Sequence, residues 1–305
     1  MIQRIGFSLL VFLAGAVAQA KPIKVVATTT TLSYLVKKVG GDQVNVIPIA
    51  KGTQDPHYLE AKPSYMVKLR GAELVVAVGL GLEQAWLPNV LRGSRNPKVQ
   101  MGRLGFLALG PHVGPIEVPT GKLDRSQGDI HAEGNPHFYL DPIRMGVAAQ
   151  FVAKKLAELR PDRGEDFLKT AQALSQEWQS KSKLWQDRIK ASKVVQVVTY
   201  HRTLSYFLKH FGIDLSGEIE AKPGVPPSAR HLLTLIKQSR QQGIKCFLHE
   251  SFFEPTASHR VAKEVKAQVW IVPTEISALP NTDTFEALME KLVRAVEDCG
   301  QRGQP

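Results

Sequence analysis

Three histidines stand in similar contexts that lie far apart along the chain. They are His57 in Asp55-Pro56-His57-Tyr58, His137 in Asn135-Pro136-His137-Phe138-Tyr139, and His201 in Val198-Thr199-Tyr200-His201. Neutral imidazole is the commonest protein ligand for zinc-like metals. The first and last histidines are 144 positions apart (201 − 57). They can meet only if the fold brings distant loops together, so the sequence predicts a cleft site and not a compact zinc finger.

The setting of these histidines argues against coincidence. Taken singly, each one would more often be a surface residue or a loop residue with ordinary hydrogen bonds. The Pro-His-aromatic pattern around His57 is repeated around His137. Pro56 and Pro136 restrict the backbone just before the two imidazoles, which lowers the entropic cost of holding each ring in one direction.

The first twenty residues have the pattern of a secretory signal peptide. Arg4 is basic, residues 5–17 are apolar, and Ala18-Gln19-Ala20 forms a cleavage site. The apolar stretch is short for a membrane span, and an uncleaved anchor helix is the alternative. No cysteine lies near the cleavage site. We therefore expect a protein exported to the periplasm without a lipid anchor.

The charge of the chain argues against a nucleic-acid-binding role. The sequence has 39 Lys and Arg against 28 Asp and Glu, a formal net charge of +11. The basic residues are scattered and rarely interleaved with aromatic residues, whereas nucleic-acid-binding surfaces concentrate them. A solvated basic surface accounts for this composition.

The two cysteines, Cys246 and Cys299, favour a disulfide. An even cysteine count in an exported protein is typical of cross-linking, and this spacing does not suit a zinc thiolate site. Two free buried thiols are the alternative. A bridge here would close a loop of about 50 residues and contribute roughly 3 to 4 kcal/mol in the chain-entropy model.

Strand and helix patterns alternate along the chain, which indicates parallel sheets covered by helices. We predict strands at 23–30, 44–49, 74–78, 194–199, 246–248 and 269–272, and helices at 32–39, 64–70, 164–191, 204–211, 229–241, 259–266 and 283–299. A further helix should follow His137, with Met145, Ala148, Val152 and Leu156 on its buried face, and residues 109–135 should form a loop.

The length and the longest helix together predict two domains. Roughly 285 residues would remain after cleavage, a size at which a single core stops growing. The helix at 164–191 would reach about 40 Å, enough to cross from one lobe to another. A core helix of one larger domain is the alternative. We expect an α/β fold of two similar lobes, at 21–160 and 193–305, joined by a linker helix at 161–192.

From Lys21 to Cys299 the chain resembles the metal-binding receptors of zinc and manganese ABC importers. The resemblance rests on six segments, of which the fourth is the most specific: Ala27–Thr30, Asp55–Glu60, Gly79–Glu83, Gly134–Pro142, Tyr200-His201 with Tyr206-Phe207, and Glu250-Ser251. It implies two α/β lobes with mostly parallel sheets, one long linker helix, and a metal site in the cleft between the lobes. It also agrees with a disulfide in the second lobe.

The same resemblance implies a set of metal ligands. His57 and His137 match ligands from the first lobe, and His201 matches a ligand from the second, where manganese receptors tend to carry glutamate. Three imidazoles suit zinc, because manganese prefers oxygen ligands. Glu275 is the acid nearest to the family's second-lobe carboxylate, and a water or an open fourth position is the alternative.

Several other residues have expected supporting roles. Glu250 matches an acid of the family and should support the site, with a salt bridge or helix cap as the alternative. Asp141 could accept a hydrogen bond from a ligand imidazole, although capping the helix that starts near Pro142 is an equal alternative. His112, His131 and His249 are candidate auxiliary or transfer ligands, or else ordinary solvated histidines.

These features predict a protein that captures Zn(II) in the periplasm and delivers it to an ABC importer permease with its cytoplasmic ATPase. We expect a monomer and no catalytic activity, and a periplasmic metallochaperone is a second candidate partner. A manganese or iron receptor is the alternative within the family. A zinc hydrolase is a further alternative, but the sequence has no H-E-x-x-H motif.

Overall fold

The computed structural model describes residues 21–121 and 131–302. The predicted signal peptide at 1–20 lies outside the described residues. Within the described ranges, no helix combines the length and apolar character that a membrane crossing requires.

The first half of the chain builds a four-stranded parallel sheet. Its strands are β1 (Ile23–Ala27), β2 (Val44–Pro48), β3 (Leu74–Ala77) and β4 (Phe106–Ala108), and its helices are α1 (Thr30–Gly40), α2 (Pro63–Arg70), α3 (Leu87–Ser94) and α4 (Pro142–Leu159). The strand order is β2-β1-β3-β4, and each neighbouring pair is parallel. Helix α1 begins where the Thr29 side chain accepts a hydrogen bond from the Leu32 backbone.

The second half repeats this arrangement. Its strands are β5 (Gln196–Thr199), β6 (Asp214–Glu218), β7 (Cys246–Glu250) and β8 (Gln268–Val272), and its helices are α6 (Ser205–Phe211), α7 (Ala229–Gln242), α8 (Thr256–Glu264) and α9 (Phe285–Arg302). The order β6-β5-β7-β8 corresponds strand for strand to the first sheet, and all pairs are parallel. Ligands bind beyond the carboxyl ends of the strands in such sheets. The loops that follow these strand ends in both sheets are therefore where we expect a binding site.

Helix α5 (Gly164–Ser192) connects the two halves. Its 29 residues span about 43 Å at 1.5 Å per residue, which confirms the predicted long helix. The apolar positions of the sequence pattern are buried, including Phe167, Trp178 and Trp185. They pack into one hydrophobic core that also contains residues of both sheets.

A hydrogen-bonded cluster fixes α5 to both halves. The Glu286 carboxylate of α9 accepts hydrogen bonds from the Trp178 indole of α5 at 2.6 Å and from the Tyr34 hydroxyl of α1 at 2.9 Å. A shared core and this cluster oppose a large hinge motion. The two-lobed α/β architecture is therefore confirmed, whereas the exact domain boundaries at 160 and 193 stay a prediction.

The sequence analysis missed three elements, α3, β4 and β6. Strand β4 has only three residues, too few for a periodic pattern. Strand β6 reads Asp-Leu-Ser-Gly-Glu and lies at a sheet edge, so it lacks the apolar run of a central strand. Helix α3 has Pro88 in its first turn and Gly93 near its end, which obscured its pattern. The predicted first strand also ends earlier, at Ala27.

The cysteine prediction is confirmed. Cys246 at the start of β7 and Cys299 in α9 form a disulfide, with 5.4 Å between their Cα atoms. The bridge ties the last helix to the second sheet, at the end of β7 opposite to Glu250.

Candidate metal centre

Each of the three histidines lies beyond the carboxyl end of a strand and is buried. His57 lies in a short 3-10 helix in the loop after β2, and is 7% exposed. His137 is 1% exposed and lies in the loop between β4 and α4. His201 follows β5 directly and is 8% exposed. The two sheets therefore present these side chains to one another from opposite sides of the cleft.

The structure brings the three imidazoles together. One ring nitrogen from each histidine lies within 4.8 Å of the others. The ring centroids are separated by 5.2 Å for His57 and His137, 5.8 Å for His57 and His201, and 5.9 Å for His137 and His201. Nitrogens in this arrangement need only small shifts to share one ion, because zinc–nitrogen bonds are about 2.0–2.1 Å long.

Local hydrogen bonds set the direction of the two histidines on loops. The Asp55 carboxylate accepts a bond from the His57 backbone N–H at 2.9 Å, and the Asn135 side-chain oxygen accepts one from the His137 backbone N–H at 2.9 Å. Both residues lie two positions before their histidine, which fixes the turn that carries the ring.

A polar partner holds the outer nitrogen of every ring. The Nδ1 atoms of His57, His137 and His201 lie 2.6 Å from Asp55, 2.9 Å from the Tyr139 hydroxyl and 2.8 Å from Glu220, respectively. A carboxylate on Nδ1 keeps the proton there and leaves the Nε2 lone pair facing inward. This pattern is typical of metal-ligating histidines.

The environment keeps His137 neutral. Burial, followed by the neighbouring His57, His201 and His131, lowers its pKa well below the ordinary value. Its Nε2 atom is buried and has no hydrogen-bond partner among the described residues. A buried polar atom without a partner is costly, and a bound cation would satisfy it. The donor set therefore fits a metal ion.

The centre also has anionic support. Burial acts against ionisation of Asp55, but its hydrogen bonds and attraction to His57 outweigh this and lower its pKa. Burial and the charge of Glu275 raise the pKa of the Tyr139 hydroxyl well above its ordinary value. Tyr139 therefore stays protonated beside Nδ1 of His137.

Glu275 lies outside the group of ring nitrogens within 4.8 Å. It is 1% exposed, and its Oε2 atom accepts hydrogen bonds from the backbone N–H and hydroxyl of Thr31 at 2.9 and 2.5 Å. Its Oε1 atom is buried without a hydrogen-bond partner among the described residues. Glu275 thus binds the start of α1 across the cleft, and its role as a metal ligand stays a prediction.

Glu250 lies behind His201. Its two carboxylate oxygens accept hydrogen bonds from the backbone N–H groups of Tyr200 and His201, each at 3.2 Å. Complete burial raises the pKa of Glu250 to about 8. The contact is to the backbone of the site and not to an imidazole ring, so Glu250 positions the end of β5.

The prediction that Asp141 holds a ligand imidazole needs correction. Asp141 instead caps α4, since it accepts hydrogen bonds from the Ile143 and Arg144 backbone at 2.8 and 3.2 Å. It also pairs with the side chains of Arg144 and His210. The Nδ1 atoms of the three site histidines are instead hydrogen-bonded to the side chains of Asp55, Tyr139 and Glu220.

Two of these three partners had a signal in the sequence. Asp55 and Tyr139 each lie two residues from a site histidine, inside the motifs already singled out. Glu220 follows β6, a strand that the sequence analysis missed, and no local pattern marked it.

The three candidate auxiliary histidines lie in different environments in the structure. His131 Nε2 lies 3.2 Å from His57 Nε2. His112 stacks on the Phe151 ring with 4.3 Å between centroids. His249 is buried and its ring nitrogens contact the Ser258 hydroxyl and the Phe253 carbonyl. His131 is thus the one of these three that contacts a site histidine.

Comparison with known families identifies the class of protein. A model of the family described as zinc-uptake complex component A, periplasmic, matches residues 25–299. The chain belongs to this family. The family's metal-binding receptors have the two-lobed fold described above.

Individual relatives are distant but cover the chain well. The zinc-binding lipoprotein AdcA of Streptococcus pneumoniae is 24% identical over 292 residues, covering 93% of this chain and 57% of AdcA. The chain thus spans little more than half the length of that relative. The structure of a zinc-bound ZnuA deletion mutant superposes with a TM-score of 0.76 at 23% identity, covering 92% of this chain and 98% of that chain.

Another neighbour is a Mn-bound periplasmic metal-binding protein of Candidatus Liberibacter asiaticus. It gives a TM-score of 0.74 at 18% identity and covers 90% of this chain and 98% of that chain. Zinc-bound and manganese-bound proteins therefore share this fold, and the fold alone does not select the metal.

Proposed function

We propose that this protein captures Zn(II) in the cleft between its two sheets and delivers it to an ABC importer. The observation that carries the proposal is the convergence of His57, His137 and His201, contributed by both halves, with their candidate ligand atoms within 4.8 Å of one another. Membership of a zinc-uptake family supports the same function.

The ligand chemistry favours zinc over manganese. The three proposed ligands are imidazole nitrogens, which suit a borderline metal, whereas manganese prefers carboxylate, carbonyl and water oxygens. Glu275 is the proposed fourth ligand in the expected set, supported by its buried Oε1 atom that has no partner among the described residues. A manganese or iron receptor is the alternative that a metal titration would separate.

The remaining features of the proposal follow from the sequence and the family. We infer an exported periplasmic protein with lobes at 21–160 and 193–305 and a linker at 161–192, monomeric and without catalytic activity. One relative is named a lipoprotein. The permease with its ATPase is the proposed partner, and a metallochaperone is a second one.

Replacing His137 tests the function directly. We expect His137→Ala to weaken Zn(II) binding more than 100-fold in competition with a chromogenic chelator, because changes around a ligand already cost about 10- to 100-fold. His112→Ala is the matched control, since His112 stacks on Phe151. Unchanged zinc affinity in His137→Ala, or tighter binding of Mn(II) than Zn(II) by the natural protein, would contradict the proposal.

A further inference from the structure

We propose that a projecting loop of the first half, residues 101–104, binds the protein to the surface of an anionic phospholipid membrane. The loop leads into β4, so it lies at the amino ends of the parallel strands of the first sheet. The loops that carry His57 and His137 leave from the carboxyl ends of the same sheet. The proposed surface and the metal centre therefore lie on opposite edges.

The 101–104 loop exposes two large apolar side chains. All four of its residues are exposed, and Met101 and Leu104 each expose 56% of their surface. A single exposed apolar residue is ordinary, whereas neighbouring ones mark an interaction surface. Arg103 lies between them in sequence, so this loop combines apolar and basic groups.

Hydrogen bonds at its base hold the loop in place. The Gly105 backbone N–H donates to the Lys98 carbonyl at 3.2 Å, which closes the loop. The side-chain amide of Gln100 donates to the carbonyls of Leu91 and Asn96 at 3.0 and 2.7 Å. The exposed side chains therefore project from a preorganised turn, which lowers the entropic cost of binding a partner.

The surroundings of the loop are basic. No Asp or Glu occurs between Glu83 and Glu117, and that stretch contains four exposed basic residues: Arg92, Arg95, Lys98 and Arg103. None of the four forms a salt bridge with another described residue. Their charges are therefore available to an anionic partner.

A second helix adds a charge at the same edge. The Asn96 side-chain amide donates to the carbonyls of Leu69 and Ala72, each at 2.8 Å, which joins the end of α2 to the segment after α3. Arg70, between these two acceptors in sequence, is exposed. The nearby Glu73 accepts a hydrogen bond from the Lys24 backbone N–H at 3.1 Å. Basic residues thus outnumber acidic ones along this edge.

A lipid surface fits this combination better than a protein does. Anionic headgroups attract nearby Lys and Arg side chains, and apolar side chains that enter the headgroup region leave water. A stable protein partner would need about 800 Å² of complementary surface on each side. Four exposed residues on a projecting turn supply little of that area. Membrane binding would also concentrate the protein beside the permease of the proposed function.

Vesicle co-sedimentation with matched variants tests the proposal. We would measure binding to vesicles of equal parts phosphatidylglycerol and phosphatidylcholine, and to vesicles of phosphatidylcholine alone. The test variant is Arg103→Gln with Leu104→Ser. The control is Arg230→Gln with Leu233→Ser on α7, which removes the same residue types where Leu233 is 67% exposed. The control is needed because a chain of net charge +11 is attracted to anionic vesicles through all its charges.

We expect the natural protein to bind only the vesicles that contain phosphatidylglycerol. A basic residue near an anionic surface contributes about fivefold to binding, and the apolar side chain adds to it, so the test variant should bind about tenfold more weakly. The control should lose less than about threefold, because its charge acts from a greater distance. Zn(II) affinity should be the same in all three proteins.

Three results would overturn the proposal. The first is no binding of the natural protein to phosphatidylglycerol vesicles, or equal binding to both kinds of vesicle. The second is an equal loss in the test variant and the control. The third is a concentration-dependent dimer in sedimentation velocity that the test variant lacks, without vesicle binding, because a second copy of the chain would then occupy this surface.

Discussion

The two sheets have the same strand order but present their histidines in different ways. In the second sheet, His201 follows almost directly on β5, which ends at Thr199. In the first sheet, β2 ends at Pro48 and β4 at Ala108, so His57 and His137 lie on long loops. A side chain at a strand end inherits its position from the sheet, whereas a side chain on a loop needs contacts of its own.

The loops of the first half have such contacts. The Trp86 indole donates a hydrogen bond to the Pro56 carbonyl at 2.9 Å, directly before His57. The Tyr206 hydroxyl of α6 donates to the Asn135 carbonyl at 2.7 Å and accepts from the Ile116 backbone at 3.1 Å. One of the two loops is therefore fastened by the opposite half of the molecule, which links the position of His137 to the closure of the cleft.

The second half has a covalent link that the first half lacks. The edge strands β8 and β4 of the two sheets are both partly exposed, and the central strands β7 and β3 are both buried. The Cys246–Cys299 disulfide joins β7 to α9, and it uses the only two cysteines of the sequence. We therefore expect the bridge to contribute to the global stability of the second half. Other groups should determine the exact geometry at the carboxyl ends of its strands.

Removing the bridge should have the largest effect. In the double variant Cys246→Ala, Cys299→Ala, we expect the free energy of unfolding to fall by about 4 kcal/mol, since the bridge closes a loop of 53 residues in sequence separation. Urea unfolding monitored by circular dichroism measures this change. Zinc affinity of the folded variant should stay within about twofold, because Cys246 begins β7 and lies about 13 Å from its carboxyl end. A loss of affinity without a loss of stability would reverse the assignment.

The sequence was sufficient for the fold class, the long helix and the three central histidines. Apolar periodicity in α5 and the Pro-His motifs are local signals, and they act over a few residues of chain. Contacts between distant segments were not predictable in this way. Glu220 reaches Nδ1 of His201 because β5 and β6 pair within the second sheet, and Tyr206 reaches the Asn135 carbonyl because the two halves pack together. The capping role of Asp141 shows the same limit, because both of its expected roles used identical local chemistry.

Two buried glutamates allow a matched test of support at the sheet edges. Glu83 accepts hydrogen bonds from the Val78 and Gly79 backbone after β3, at 2.8 and 3.0 Å. Glu250 accepts equivalent bonds from Tyr200 and His201 after β5. The two glutamates differ because only Glu250 binds the backbone N–H of a proposed metal ligand, His201.

We expect Glu250→Gln to weaken Zn(II) binding by about tenfold, because the amide NH2 group, unlike either oxygen of the carboxyl group, cannot accept a hydrogen bond from the backbone near His201. Glu83→Gln should destabilise the fold about as much as Glu250→Gln does, but it should weaken Zn(II) binding clearly less. Chelator competition and thermal unfolding of both variants provide the measurements. Equal losses of zinc affinity in the two variants would mean that the glutamates of both sheets support zinc binding equally, which would contradict the proposed difference between the sheets.

The smallest effect should come from the hydroxyl that fastens the His137 loop. Tyr206→Phe removes the bonds to Asn135 and Ile116 but keeps the ring, over which the Arg144 guanidinium lies at 4.8 Å. Loss of such bonds costs about 0.5–1.5 kcal/mol. Since this loss acts on the loop that carries His137, we expect zinc to dissociate about two- to tenfold faster, as measured by transfer to a chelator in a stopped-flow experiment.

Tyr34→Phe is the matched control, because it removes a hydroxyl bond to Glu286 of 2.9 Å that joins α1 and α9, and neither helix carries one of the three histidines. Both variants should lose similar stability, but only Tyr206→Phe should release zinc faster. If Tyr206→Phe releases zinc no faster than the natural protein, the loop holds His137 without help from the second half. The two halves would then be coupled mainly through α5 and the shared core. The two sides of the cleft would position their histidines independently of each other.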